Sequence, residues 1–97
     1  MKIPKVLKIG GKKFKVRVIK IDSLSDIENV GEMDGNRHII TLNDLDDAPI
    51  ERLEECFLHE ILEAINEIYE LKLPHWKITS ISEVLYGIIK NNKLDFR

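Results

Sequence analysis

Residues 59–63 read His59-Glu60-Ile61-Leu62-Glu63, a spacing with chemical meaning if the segment is helical. On an α-helix, positions i and i+4 stand one above the other, so His59 and Glu63 can offer an imidazole nitrogen and a carboxylate oxygen to one ion. Glu60 is turned about 100° from His59, which sets a second carboxylate beside that ion, where a general base for water would have to be. Catalytic zinc generally takes three protein ligands, the third from another element. His75, following Leu73-Pro74, is the best-placed candidate. Glu83 is a reserve ligand and Tyr86 a candidate proton donor. Two imidazoles and a carboxylate suit zinc, and also iron, nickel or manganese.

Two helices must position these groups. Ile50, Leu53, Phe57, Ile61, Ala64, Ile65 and Ile68 fall on one arc at helical spacing, flanked by Leu58, Leu62 and Tyr69, and predict an amphipathic helix of about five to six turns. Asn43-Asp44-Leu45-Asp46-Asp47-Ala48-Pro49 combines capping side chains with a proline suited to a first turn, so that helix should begin near residue 48. Residues 71–74 break it. A second helix follows, with Ile78, Ile81, Val84, Leu85, Ile88 and Ile89 as its apolar stripe, and Asn91-Asn92 ends it. His75, Thr79, Ser82, Glu83 and Tyr86 share the opposite face.

The first half reads as strands. Val6–Ile9, Gly10-Gly11 and Lys12–Ile21 predict a hairpin, because paired glycines supply the positive φ of a tight turn. Alternation slips at Val18-Ile19, where a bulge or the end of pairing is expected. Residues 22–29 form a polar connection, and residues 30–33, Asp34-Gly35-Asn36 and residues 38–42 predict a second hairpin. The expected fold is α+β: a small antiparallel sheet of three to four strands in a β-rich half (1–47), then two helices in the half that carries the metal site (48–92).

At 97 residues the chain makes a single domain. With 43% apolar and 33% charged residues it is neither disordered nor membrane-spanning. A single cysteine, Cys56, excludes an internal disulfide framework and a four-cysteine zinc site. The opening residues lack an apolar stretch for a signal peptide, so a cytoplasmic protein is expected. The net charge of −2 conceals segregation: +8 over residues 1–20, −13 over 21–70 and +3 over 71–97. Lys13, Lys15 and Arg17 alternate with Phe14, Val16 and Val18, the pattern of a strand with one wet face rather than a nucleic-acid surface.

Several candidate residues also have a plainer reading, and His75 after Pro74 reads equally as an ordinary helix-start residue. His59, Glu63, Glu67 and Glu70 lie roughly opposite the apolar arc of the first helix and would serve equally as a solvated acidic face. Glu83 follows Ser80 by three and fits a capping box if the second helix starts late. Cys56 reads as a small, partly buried hydrophobe and Trp76 as a packing anchor between elements.

The residues from Phe57 to Ile65 (FLHEILEAI), followed by Tyr69-Glu70-Leu71-Lys72-Leu73 and Ile81-Ser82-Glu83-Val84-Leu85-Tyr86, resemble the small, often phage-encoded proteins of the minimal zincin type, gluzincin-like metallopeptidases. In that family one helix carries His-Glu-x-x-His and a short following helix supplies a glutamate. The resemblance extends upstream to His38-Ile39-Ile40-Thr41-Leu42 and so covers most of the chain. It implies a zincin-like fold, zinc held between the two helices, and hydrolysis of an amide bond in a peptide or protein. This chain departs from the pattern: Glu63 stands where the family has its second histidine, and His75 where its downstream glutamate would align. The exchange preserves two imidazoles and one carboxylate.

The resulting expectation is a zinc metallopeptidase with His59, Glu63 and His75 as ligands and Glu60 as base. An extended peptide would pair along the strand of residues 37–42. The competing expectation is a non-catalytic metal-binding or regulatory module of the same shape that contacts a protein partner. Nucleic-acid binding by residues 1–20 is a third, disfavoured because the neighbouring acidic segment would repel phosphate.

Overall fold

Turn chemistry shapes the sheet. In this computed structural model, which describes residues 3–21, 31–46 and 48–94, β1 (Val6–Ile9) and β2 (Lys12–Ile21) are joined through Gly10 and Gly11 at φ 55° and 81°. Both angles lie in the left-handed region that glycine enters without a Cβ penalty. β3 (Gly31–Asp34) and β4 (Ile39–Leu45) form the second hairpin. There the Asp34 carboxylate accepts hydrogen bonds from the Asn36 and Arg37 amides at 3.0 and 3.1 Å, an Asx turn. The polar connection expected over residues 22–29, and Val30, lie outside the described residues.

The strand order is β1-β2-β4-β3, and the chain is α+β as expected. The sheet is mixed rather than wholly antiparallel, because the second hairpin docks with β4 innermost, parallel to β2, in register from Lys15↔Ile39 to Ile21↔Leu45. No bulge forms at Val18-Ile19: their pairing with Leu42 and Asn43 continues, Val18 staying exposed because α1 packs chiefly over β3 and β4, and Ile19 because it lies on the other face of the sheet. The placement of β4 also removes residues 37–42 as a peptide-pairing edge, since β2 and β3 occupy both of its sides; the sheet's edges are β1 and β3.

One face of the sheet carries the core. Ile9, Phe14, Val16, Ile40 and Leu42 meet Leu53, Phe57 and Ala64 of α1 (Ile50–Ile68). Lys13, Lys15 and Arg17 point to the other, wet face. Asn43 to Leu45, expected to cap α1, instead extend β4, and Pro49 occupies the N-cap with no side-chain cap bond.

α2 (His75–Asn91) stacks on α1. It starts directly after Pro74, so Ser80 lies within the helix and the Ser80/Glu83 capping box does not form. Its orientation departs in part from what its periodicity suggests, although Ile78 of the apolar stripe is buried and His75 and Glu83 of the opposite face are exposed. Ile78, Ser82 and Tyr86 are buried, while Ile81, Val84, Leu85 and Ile88 of the apolar stripe are exposed. The surface that α1 offers explains this, because Glu54 and His59 present polar atoms that the Tyr86 and Ser82 hydroxyls can satisfy. Trp76 is 65% exposed, with the Lys77 ammonium 5.5 Å from its ring centre, and is not a packing anchor. It lies about 200° around the helix from the buried Ile78. Among the described residues no helix is long and apolar enough to cross a membrane.

Candidate metal centre

The turn between the helices determines where His75 falls. The Asn66 side chain on α1 clasps the backbone of Leu73 at both polar atoms: the Leu73 amide donates to Oδ1 at 2.9 Å and Nδ2 donates to the Leu73 carbonyl at 3.1 Å. Glu70 and Lys72 adopt φ of 50° and 58°, left-handed values that cost a non-glycine residue about 1 kcal/mol or more. The clasp offsets that cost and delivers Pro74 and His75 over the second half of α1.

His75 Nδ1 thereby comes to 3.8 Å from Glu63 Oε2, and the His59 and His75 ring centres are 4.9 Å apart at 64°. One donor atom from each of His59, Glu63 and His75 can be chosen so that all lie within 4.8 Å of one another. A tetrahedral zinc with bonds of about 2.0 to 2.2 Å needs donors roughly 3.4 Å apart. Side-chain adjustments on the scale of an ångström would close the set, so these residues fit the ion. His59 and Glu63 are half-buried beneath α2 rather than a fully solvated face, whereas Glu67 and Glu70 are exposed.

The surrounding cleft, about 340 Å³, is lined by His59, Glu60 and His75 together with Arg52, Cys56 and Glu83. Glu60 is buried, and burial first, then the nearby charges of Glu63 and Glu32, push its carboxyl up to about 7. Burial likewise draws His59 below its ordinary value, with His75 adding to the effect and Glu63 opposing it. An imidazole neutral at physiological pH is the form that ligates metal. Burial, assisted by Glu60, raises the Cys56 thiol to about 12, leaving it a small apolar wall rather than a thiolate.

Two sequence candidates sit apart from the three-residue cluster. Glu83 lines the cleft but is exposed. The Tyr86 hydroxyl is buried and donates to Glu54 Oε1 at 2.6 Å, outside the residues that line the cleft. Desolvation would raise the Glu54 carboxyl, but the Tyr86 bond and the Lys90 ammonium at 3.9 Å are among the interactions that outweigh it and lower it. Glu54 was legible in principle, since it falls within the apolar arc of α1 where a carboxylate demands a partner. Gly31, which also lines the cleft, carries no local sequence signal; a Cβ there would stand 2.7 Å from Cys56 Sγ and 3.0 Å from the Thr41 carbonyl. No protein-family model, curated protein or solved structure matches the chain.

Proposed function

We propose that this protein is a zinc-dependent hydrolase acting on an amide bond of a peptide or protein, with His59, Glu63 and His75 holding the ion. The observation that carries this reading is the convergence of those three donors, from two helices, with His59 and His75 lining a cleft that the buried Glu60 also lines. Zinc in such a set supplies Lewis acidity, which polarises a carbonyl and makes water easier to deprotonate. Glu60, next to His59 in sequence and turned away from the ligand cluster, is the group that takes a proton from water and returns it to the departing amine. Burial keeps bulk water from competing for that carboxylate. Gly31 brings the edge strand β3 to the cleft, which makes β3 the strand for an extended substrate to pair with.

A second reading, a non-catalytic zinc-binding module that docks a protein partner, draws support from the exposed stripe of Ile81, Val84, Leu85 and Ile88. Elemental analysis and chelator-dependent melting come first. About one zinc per chain, with a lower melting temperature in chelator, supports the metal centre. Glu63→Ala and His75→Ala should each weaken zinc binding by at least tenfold while Glu83→Ala leaves it unchanged; the reverse pattern would make Glu83 the third ligand. Zinc bound without hydrolysis of any peptide in a mixed library would favour the docking module.

A further inference from the structure

Ser82 is 1% exposed and stands between two partners. Its hydroxyl donates to the Thr79 carbonyl at 2.9 Å, and its oxygen lies 3.5 Å from His59 Nδ1. A serine hydroxyl has one proton, and here that proton is committed to the Thr79 carbonyl. With that proton so placed the oxygen can only accept from His59, and the 3.5 Å contact is a hydrogen bond when the imidazole carries its proton on Nδ1. A neutral imidazole protonated at Nδ1 has its lone pair on Nε2.

We propose that Ser82 is the positioning residue of the metal centre, holding His59 in the Nδ1–H tautomer so that Nε2 is the atom offered to the ion. The inference rests on the metal-centre reading for its functional consequence, but the Ser82–His59 contact belongs to the metal-free chain and its tautomer can be read there. The outer partner of a ligating histidine ordinarily matters through ring orientation and basicity, and its loss weakens metal affinity by about 10- to 100-fold. Here the partner comes from α2, the helix that also supplies His75. Packing of α2 therefore both completes the ligand set and orients a ligand on α1.

The test uses the full chain, metal-free and labelled with nitrogen-15. Long-range proton–nitrogen correlation spectra at pH 8 should show His59, identified by the signals missing in His59→Gln, with Nδ1 protonated and Nε2 bare. Ser82→Ala should convert this to a mixture of tautomers and weaken zinc binding at least tenfold. Ser82→Thr, which retains the hydroxyl, should restore both. A wild-type His59 protonated on Nε2, or a Ser82→Ala variant with unchanged tautomer or unchanged zinc affinity, would overturn the proposal. If Nδ1–H is found and lost in Ser82→Ala but the wild type takes up no zinc, the Ser82 contact stands and the metal-centre reading fails instead.

Discussion

Replacing Glu60 with glutamine separates the demands of chemistry from those of folding. In the metal-free chain the carboxyl is pushed from its ordinary 4.5 up to about 7 by burial and by Glu63 and Glu32. A carboxyl that binds its proton more tightly in the folded than in the unfolded chain contributes no penalty below the unfolded value. Above it the penalty grows, and it is complete once the pH exceeds the folded value. At about 1.4 kcal/mol per pH unit the interval corresponds to roughly 3 kcal/mol, and solvent reaching the cleft reduces it to about 1.5 to 3 kcal/mol. Glu60→Gln removes the ionisation, so in chelator at pH 8 the variant should melt roughly 6 to 24 °C above the wild type. At pH 4, where both carry a neutral side chain, the difference should largely vanish. The same variant should retain its zinc and lose hydrolysis, the signature of a base maintained at the expense of stability. Differential scanning calorimetry at the two pH values, with metal analysis of the same preparations, reads both. A variant no more stable than the wild type at pH 8 would refute the burial argument, and one that loses zinc would make Glu60 a ligand.

Tyr86→Phe should destabilise the fold by about 1.5 to 3 kcal/mol, since it removes a hydrogen bond to a buried carboxylate, and should leave zinc content and turnover intact. That cost should shrink in acid, because Glu54 has a lowered carboxyl value and its stabilising contribution is lost as the pH falls through it; turnover that falls while the melting temperature holds would instead make Tyr86 a proton donor. Asn66→Ala should cost about 1 to 3 kcal/mol through its two bonds to Leu73 and should also weaken zinc binding by loosening His75, with calorimetry and zinc titration as the checks. Unchanged zinc affinity in a folded Asn66→Ala would show that the turn is held by other means.

The elements legible in the sequence were those governed by neighbours along the chain. Gly10-Gly11 and Asp34-Gly35-Asn36 specify their turns locally, and the apolar arc from Ile50 to Ile68 specifies α1 whatever it packs on. The parallel pairing of β2 with β4 was not legible, because nothing in either strand's alternation encodes which side of the sheet a distant hairpin joins. The continuation of β4 through Asn43 and Asp44 was hidden for a related reason: polar residues with a capping signature sit at a strand end, where Asp44 pairs with the Lys20 ammonium at 3.2 Å. At the candidate metal centre, the i, i+4 relation and the break at Pro74 pointed to His59, Glu63 and His75, but the Asn66 clasp on Leu73 that sets His75 over α1 left no such local signal. Periodicity reports that α2 has an apolar stripe but not which element covers it, so the inward turn of Ser82 and Tyr86 required the polar atoms of Glu54 and His59 to be seen in place.

The attachment of α2 has a consequence for how the molecule opens. α2 leans on α1, and its principal contacts include no strand. Its buried face is narrow, a few side chains joined partly by hydroxyl hydrogen bonds, while the sheet and α1 share the aromatic and aliphatic core. Such a helix should open as a unit of its own while the rest of the molecule stays folded, so that its amides exchange with solvent sooner than those of β2 or β4 in a hydrogen-exchange measurement. An ion held by His59, Glu63 and His75, as proposed, would bridge that seam at the helix's first residue. Occupancy of the centre would then register first in the amide protection of α2, ahead of any change in the core, and would turn the loosest packed element into one fastened at its N-terminal end.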